Sequence, residues 1–427
     1  KEGNCNMDIF GPADILLPKD CDLSKWSVIA CDQYTSEPAY WAKAAEIADG
    51  EPSTLNIIIP EVYLNSGDDD KRIASINETM RKYIEDGLFE EYKNSMVYVE
   101  RKQHNGKVRR GIVGAVDLEC YDYSVGSESP IRATEGTILS RIPPRKRIRE
   151  NAIMELPHII MLIDDRDRKV VEAVAERSGE LSILYDCDLM LGGGHVTGRL
   201  IDEKGIETVM SGIKSLWDDE TYCGKYGRQS GGKLIMAVGD GNHSLATAKA
   251  CWEDIKKGLT EDEKKTHPAR YALVELMNLH DPTLEFEAIH RVMFDVDPEA
   301  VMAAFKEYYP QMSEEFRGGG QGVTAVYGHT EKKLYISGSA CSVSAGTIQQ
   351  FIDDYIEKHG GSVDYIHGGN VVRMLAFEPN RIGFILDGIR KNELFEGVIH
   401  EGALPRKTFS MGEAADKRYY LEARRIR

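Results

Sequence analysis

Apolar residues recur at helical spacing between residues 73 and 84, and this spacing predicts an amphipathic helix. The apolar positions are Ile73, Ile76, Met80, Tyr83 and Ile84, and Gly87 follows them as a stop signal. Two strand-like stretches come next, 96–102 and 108–116, with Asn105-Gly106 between them. This dipeptide favours a β-hairpin closed by a two-residue primed turn. The N-terminal third is therefore expected to contain a helix followed by a hairpin.

Strand and helix patterns alternate through the rest of the chain. Apolar or alternating runs predict strands at 159–163, 181–185, 234–238, 323–327, 333–337 and 382–386. Helical spacing predicts helices at 169–174, 206–216, 245–252 and 348–356. Such alternation favours a mixed α/β fold with α+β character, in which sheets are layered with helices.

The length of 427 residues suggests two or three domains. Element patterns and composition divide the chain into three parts. These are an N-terminal α/β part with the helix and the hairpin, 1–125, a central phosphate-binding part, 126–275, and a C-terminal α/β part, 276–427.

The charge balance restricts the partners. Lysine and arginine number 53 against 70 aspartates and glutamates, a net charge of −17, which repels nucleic-acid phosphates and anionic membranes. No apolar run approaches the roughly 20 residues of a membrane span, and the first residues do not resemble a signal peptide. We therefore expect a cytoplasmic protein that acts on a small molecule, without nucleic-acid or membrane partners. Its oligomeric state is left open.

The eight cysteines contain no Cys-x-x-Cys pair, and Cys120 and Cys251 lie among apolar residues. This usage favours free buried thiols over a disulfide framework. The eleven histidines show no His-x-His or His-Glu-x-x-His spacing, so a structural zinc site is not expected.

An apolar strand runs into a glycine turn at residues 239–244, and a helix follows. Gly239 and Gly241 let the backbone turn sharply, and the helix start offers unpaired N–H groups that suit a phosphate. Asp240 suits such a site only as a metal ligand or as a base. The alternative is that Asp240 or Asn242 merely caps the helix.

A cationic stretch stands out in this acidic chain. Its candidate phosphate ligands are Arg141, Arg145 and Arg147, since guanidinium groups match phosphate bidentately. Glu135 precedes it and suits a base or a metal ligand. The alternatives are a solvated charge run for the arginines and a surface Glu–Arg pair for Glu135.

These motifs resemble the bacterial family of domain of unknown function 1015. The resemblance is carried by Thr134-Glu135-Gly136-Thr137 with Arg141, by 157–165, and by Ala237 to His243. Three further elements agree, at 30–34, 288–291 and 404–408. Their residues Asp32, Tyr34, His290, Arg291 and Lys407 are interpreted as candidate substrate-binding residues.

The turn is also similar to that of free-serine kinases of the ParB and sulfiredoxin-like fold. This second resemblance implies a phosphotransferase that moves a phosphoryl group from a nucleotide or pyrophosphate to a small hydroxyl compound such as serine, with Mg²⁺ as a possible cofactor. Asp240 or Glu135 would act as base, His243 would be catalytic, and residues 239–244 would cradle phosphate. Asn242 and Ser244 depart from the pattern, which has His and Arg at these positions.

The leading hypothesis is therefore phosphoryl transfer to a small-molecule hydroxyl. The alternative is a regulatory module that binds a nucleotide or another anion without turnover.

Overall fold

The computed structural model describes residues 8–64, 66–227, 231–316, 318, 320–338 and 341–427. The chain divides into two compact units. The first comprises the chain up to Ala133, Thr137–Leu284 and Glu413–Arg427, and the second comprises Thr134–Gly136 and Glu285–Gly412. The expected part boundaries near residues 125 and 275 stay a prediction.

The first unit contains fourteen of the strands described. They are β1 Phe10–Gly11, β2 Ala13–Pro18, β3 Phe89–Ser95, β4 Val97–Lys102, β5 Val108–Asp117, β6 Tyr121–Asp122, β7 Ile131–Ala133, β8 Met154–Glu155, β9 Ile160–Ile163, β10 Ile183–Leu189, β11 Gly194–Leu200, β12 Met236–Asp240, β13 Tyr271–Asn278 and β20 Arg424–Arg425. Its α-helices are α1 Leu23–Trp26, α2 Pro38–Ala48, α3 Asp69–Glu85, α4 Ile142–Arg149, α5 Val171–Ala175, α6 Glu203–Leu216, α7 Asp219–Tyr226, α8 Asn242–Ile255 and α9 Glu261–Thr266.

A ten-stranded mixed sheet organises this unit. Its order is β10-β11-β4-β5-β13-β9-β12-β7-β6, and β1 pairs with β5. The pairs β13–β9, β12–β7 and β6–β7 are parallel, whereas β12 runs antiparallel to β9. The apolar runs that predicted β9 and β12 lie in the middle of this sheet, where both faces are covered and a continuous apolar sequence is required.

The second unit holds a six-stranded antiparallel sheet. Its order is β16-β15-β18-β14-β17, with β19 paired to β14. The strands are β14 Phe286–Phe294, β15 Gln321–Tyr327, β16 Thr330–Ile336, β17 Ser362–His367, β18 Arg381–Leu386 and β19 Phe409–Met411. The helices are α10 Pro298–Tyr308, α11 Ser344–His359, α12 Gly369–Ala376 and α13 Lys391–Glu401. Its core is aromatic, since the rings of Phe305 and Phe351 lie 4.8 Å apart and those of Phe305 and Phe384 lie 5.5 Å apart.

The mixed α/β prediction is confirmed, and so are most of the predicted elements. The helical spacing at 73–84 forms α3, in which Ile76 and Met80 are buried. Within the described residues, no helix combines the length and the apolar character that crossing a membrane would require.

The hairpin forms between β4 and β5, but the predicted primed turn is wrong. Gly106 has φ +80°, whereas Asn105 does not have a positive φ. The N–H of Gly106 donates to the Gln103 carbonyl, and the N–H of Gln103 donates to the Lys107 carbonyl, both at 2.9 Å. This is a three-residue loop with one left-handed glycine. The Asn105 side chain accepts the N–H of Lys107 at 2.9 Å, which fits a right-handed Asn105.

Replacing Gly106 by Val is expected to lower the free energy of unfolding by roughly 1–2 kcal/mol, because a β-branched residue is strained at positive φ. A Cβ at this position would meet nothing within 4 Å, so backbone strain is the whole effect. Urea denaturation measures the loss. Gly106→Asn is the matched control and should lose less, because Asn tolerates this conformation. Equal stability of the Val variant and the unchanged protein would contradict this account of the loop.

The expectation of free thiols is wrong at one position. Cys120 is disulfide-bonded, whereas Cys251 is buried and free as expected. The apolar surroundings of Cys120 in the sequence do not reveal which segment meets it in the fold.

Candidate functional site

The predicted glycine turn lies where β12 passes into α8. Gly241 makes the turn with φ +84°, but the prediction that Gly239 also turns the backbone is wrong, because Gly239 lies within β12 and has no positive φ. A Cβ on Gly241 would lie 3.0 Å from Cγ1 and 3.1 Å from Cα of Ile159. Both the conformation and the close approach of Ile159 therefore require glycine here.

No side chain caps the start of α8, so the capping alternative is wrong. Gly241 itself is the N-cap residue and makes no side-chain hydrogen bond to the helix. The Asp240 carboxylate accepts the N–H of Gly241 at 3.1 Å, which lies outside the helix. The Asn242 Oδ1 atom is buried and has no hydrogen-bond partner among the described residues. The first turn of a 14-residue helix thus keeps its N–H groups and its positive dipole end uncapped.

Lys417 supplies a cation beside this turn. Its Nζ atom lies 3.3 Å from Oδ2 of Asp240, and its side chain is only 10% exposed. The C-terminal segment reaches this place by pairing with residues 28–30: the N–H of Ala30 donates to the Arg418 carbonyl and the N–H of Tyr420 donates to the Val28 carbonyl, both at 2.9 Å. The sequence analysis did not include Lys417 among the candidate residues.

His243 is held neutral at pH 7. Burial, together with the charges of Arg145 and Arg141, lowers its pKa to about 4. Its Nε2 atom accepts the N–H of Ile138 at 3.3 Å, so the ring proton is assigned to Nδ1. A neutral His243 can donate a hydrogen bond to a ligand, but it is not an imidazolium acid at this pH.

A second histidine joins the site through Ser244. The Ser244 hydroxyl lies 2.7 Å from Nε2 of His158, and the Tyr420 hydroxyl lies 3.0 Å from Nδ1 of the same ring. Oδ2 of Asp32 is 3.9 Å from His158 Nε2. The N–H of Cys31 donates to the Tyr420 hydroxyl at 3.1 Å. Asp32 is thereby placed near the turn, whereas His158 and Tyr420 were missed by the sequence analysis.

Tyr34, two residues after Asp32, has φ +51°. Its ring stacks on Tyr40 with centroids 3.8 Å apart. Non-glycine residues in this conformation often mark functional sites, because the surrounding structure must hold them there.

The predicted arginines lie on and just before α4. Arg145 pairs with Glu61 and donates to the Arg141 carbonyl at 2.9 Å. Arg147 pairs with Asp70, and both of these side chains are largely exposed. Arg141 is exposed and forms no ion pair within the part of the chain that the structure describes. Of the three, Arg141 and Arg145 lower the pKa of His243 through their charges, whereas Arg147 pairs with Asp70 at the surface.

Glu135 belongs to the second unit. Its carboxylate accepts the N–H groups of Lys407 and Thr408, each at 3.2 Å. The alternative interpretation, in which Glu135 is a surface carboxylate paired with an arginine side chain, is therefore wrong. Burial raises the pKa of Glu135, against the opposing effects of these N–H groups and of Arg291. Lys407 has φ +58°, a strained conformation for this residue.

The remaining candidates of the second unit, Arg291 and His290, are buried. Arg291 donates to the Lys407 carbonyl at 2.8 Å and to Gln349 at 3.2 Å, and burial lowers its pKa to about 10. Nδ1 of His290 accepts the N–H of Leu386 at 3.2 Å. The Arg291 guanidinium and Nδ1 of His290 thus have hydrogen-bond partners within the protein.

Metal ligands are sparse. Among the described residues, no group of three or more His, Cys, Asp or Glu side chains is placed to hold a metal ion. Near the turn, the available carboxylates are Asp240 and Asp32.

Comparisons with known proteins bear on the family and on the fold. The model of the family described as "Protein of unknown function (DUF1015)" matches residues 15–422. No curated protein matches the chain.

Several solved structures are similar at low identity. A C-terminally truncated SbnI from Staphylococcus aureus is 12% identical, with 70% of this chain and 82% of that chain covered and a TM-score of 0.36. A mutant of a free serine kinase in complex with AMP is 11% identical, with coverage of 72% and 93% and a TM-score of 0.37. A conserved hypothetical protein from Pyrococcus furiosus is 11% identical, with coverage of 70% and 91% and a TM-score of 0.32.

Proposed function

The chain belongs to the DUF1015 family, and from this premise we propose that the first unit transfers a phosphoryl group from a nucleotide or pyrophosphate to the hydroxyl of a small molecule, with free serine as the first acceptor to test. The residues involved are Asp240 to Ser244 with Asp32, Arg145 and Lys417, hereafter the turn cluster. The observation that carries the proposal is the uncapped start of α8 beside buried Lys417.

Phosphate binding is supported by three features of the turn cluster. The free N–H groups of the first helical turn and the helix dipole favour an anion. Lys417 adds a positive charge 3.3 Å from Asp240. The charges of Arg141 and Arg145 reach His243 within the same cluster. Together they offset the absence of an arginine at position 244, because phosphoryl transfer depends chiefly on positioning and charge neutralisation.

Asp240 is the proposed base. In the proposed step the acceptor hydroxyl oxygen forms a bond to phosphorus, the bond from phosphorus to the leaving phosphate oxygen breaks, and the hydroxyl proton goes to the Asp240 carboxylate. The neutral His243 donates a hydrogen bond to a phosphate oxygen. Glu135 remains a candidate base proposed from its motif, and its raised pKa is compatible with accepting a proton.

Mg²⁺ fits this cluster only together with the phosphates. In phosphoryl-transfer sites Mg²⁺ is held by one or two carboxylates plus substrate phosphates, and Asp240 and Asp32 are the carboxylates available for it. When bound, the ion neutralises phosphate charge.

A regulatory module that binds an anion without turnover is the second candidate. Two observations favour it: Arg145 is already paired with Glu61, and Ser244 contacts His158 instead of presenting a cation.

Two measurements separate these functions. Thermal shift with ATP, ADP, CTP and pyrophosphate, with and without Mg²⁺, identifies the donor. Single-turnover incubation with that donor, labelled in the transferable phosphate, and with serine should give labelled phosphoserine. If a nucleotide or pyrophosphate raises the melting temperature but transfers no label to serine or to a panel of small hydroxyl compounds, the protein is a regulatory module that binds an anion without turnover.

Arg145→Ala is expected to weaken donor binding about tenfold, which corresponds to about 1.4 kcal/mol. The substitution removes one positive charge near His243 and leaves the Glu61 carboxylate without its partner. Calorimetric titration of the donor measures the change. Arg147→Ala, which breaks an exposed pair with Asp70, is the control and should change affinity less than about twofold.

A second substitution tests the reason for this effect. Adding Ser244→Arg to the Arg145 variant should restore part of the lost affinity, because it returns a cation to the start of α8. If the Arg145 and Arg147 variants bind the donor with equal affinity, α4 does not contribute to the phosphate site.

A further inference from the structure

A separate cavity lies in the first unit, between α2, residues 55–63 and α3. Its volume is about 360 Å³, in the range of small-molecule sites. Most of its wall is apolar, formed by residues that include Trp41, Ala45, Leu55, Ile58, Tyr63 and Ile76. None of its lining residues belongs to the turn cluster.

Arg72 is the one charged side chain among the residues that line this cavity. Its guanidinium lies 5.1 Å from the centroid of the Tyr63 ring. Within the described part of the chain it pairs with no carboxylate, although Lys71 beside it pairs with Asp68. An unpaired arginine at the edge of an apolar cavity, in a chain of net charge −17, favours an anionic ligand.

Trp41 contributes to this wall, and its side chain is 1% exposed. The cavity therefore combines an apolar wall with one cation at its edge.

We propose that this cavity binds a small apolar monocarboxylate. The hydrocarbon part packs against Leu55, Ile58 and Ile76, and the carboxylate pairs with Arg72. An apolar body with a single anionic end is the chemistry that matches both parts of the wall. This site is independent of the proposed phosphoryl transfer.

Hexanoate is the test ligand, measured by isothermal titration calorimetry on the full chain. We expect a dissociation constant on the order of 1 mM, a value within reach for so small a ligand. Hexanol, which has the same chain without the charge, should bind severalfold more weakly. Absence of hexanoate binding at about 10 mM, or equal binding of hexanol, would overturn the proposal.

One variant tests the carboxylate contact. Arg72→Gln should weaken hexanoate binding severalfold, because it removes the positive charge at the edge of the cavity. Arg81→Gln, on the same helix and also exposed, is the control and should bind hexanoate like the unchanged protein. Because Arg72 is exposed, its variant should keep the melting temperature. Unchanged affinity of the Arg72 variant would refute carboxylate binding here.

Discussion

Asp240→Asn is expected to lower the rate of phosphoryl transfer by a factor of about 10²–10⁴, the usual contribution of a general base. The amide keeps an oxygen that can accept the N–H of Gly241, as the carboxylate does at 3.1 Å. Lys417 approaches the other oxygen, Oδ2, at 3.3 Å, so the variant loses this contact while the hydrogen bond to Gly241 keeps the shape of the turn. What the amide cannot do is take the proton of the acceptor hydroxyl or act as a charged ligand for Mg²⁺.

The measurement is the single-turnover rate with the donor found by thermal shift, alongside the melting temperature. Asp254→Asn is the matched control, because Asp254 lies on the same helix and pairs with Lys146 and Lys257 at the surface. The control should keep its full rate. If the Asp240 variant melts normally and transfers phosphate at the unchanged rate, Asp240 is structural and the base must be sought elsewhere.

Much of the fold could be predicted because its signals are local. The 3.6-residue spacing of α3 and the apolar runs of β9 and β12 depend on residues close together in the chain. Each forms the expected type of element, although β12 begins and ends two residues later than predicted. The hairpin was also predicted, but its turn type was not. In the observed loop the Asn105 side chain accepts a backbone N–H at 2.9 Å. The Asn-Gly rule for primed turns does not take this hydrogen bond into account.

The arrangement of the strands could not be predicted in the same way. β13 lies in the middle of the large sheet and pairs in parallel with β9, although more than a hundred residues separate them. Its sequence includes Glu275 among apolar residues, so neither alternation nor a continuous apolar run marks it as a strand. That glutamate is tolerated only because distant arginines surround it.

The candidate site shows the same division between local and distant signals. The glycine turn and the uncapped helix follow from a few neighbouring residues, and the motif identified them. Lys417, His158 and Tyr420 join the turn through contacts across the chain, such as the bond between His158 and Tyr420, whose positions differ by 262 residues. In the sequence, Lys417 stands out only as half of the basic pair Lys417-Arg418 near the C-terminus, which does not indicate a contact with Asp240.

Glu275→Gln is expected to lower the free energy of unfolding by about 3–5 kcal/mol, the cost of removing one partner from a buried ion pair. Glu275 is 1% exposed and pairs with Arg418 and, at 3.4 Å, with Arg109. Arg418 also pairs with fully buried Glu422, so the glutamine variant leaves two buried arginines with one glutamate. The Glu275 side chain packs against Gly111, and a Cβ at position 111 would collide with its carboxylate.

Urea denaturation at pH 7 measures the loss. Glu331→Gln is the control: its pair with Arg373 has two contacts, at 2.8 and 3.0 Å, but both side chains are more than 40% exposed. Exposed pairs contribute about 1 kcal/mol or less, so the control should lose no more than that. A loss in the Glu275 variant as small as in the control would mean that the buried charges do not stabilise this sheet.

The pH dependence of the unfolding free energy tests the pairing of Glu275 with these arginines independently. Burial alone would raise the pKa of Glu275, but the charges of Arg109 and Arg418 outweigh it and hold that pKa below its usual range. A carboxyl whose pKa is lower in the folded state contributes stability that is fully present above the unfolded value, about 4.3, and is lost as the pH falls through the folded pKa. The unchanged protein should therefore lose stability below about pH 4.3 more steeply than Glu275→Gln, which has no carboxyl to protonate there. The difference between the unfolding free energies of the two proteins should therefore decrease as the pH falls. If this difference stays constant down to the pH at which the proteins unfold, these arginines do not hold Glu275 ionised.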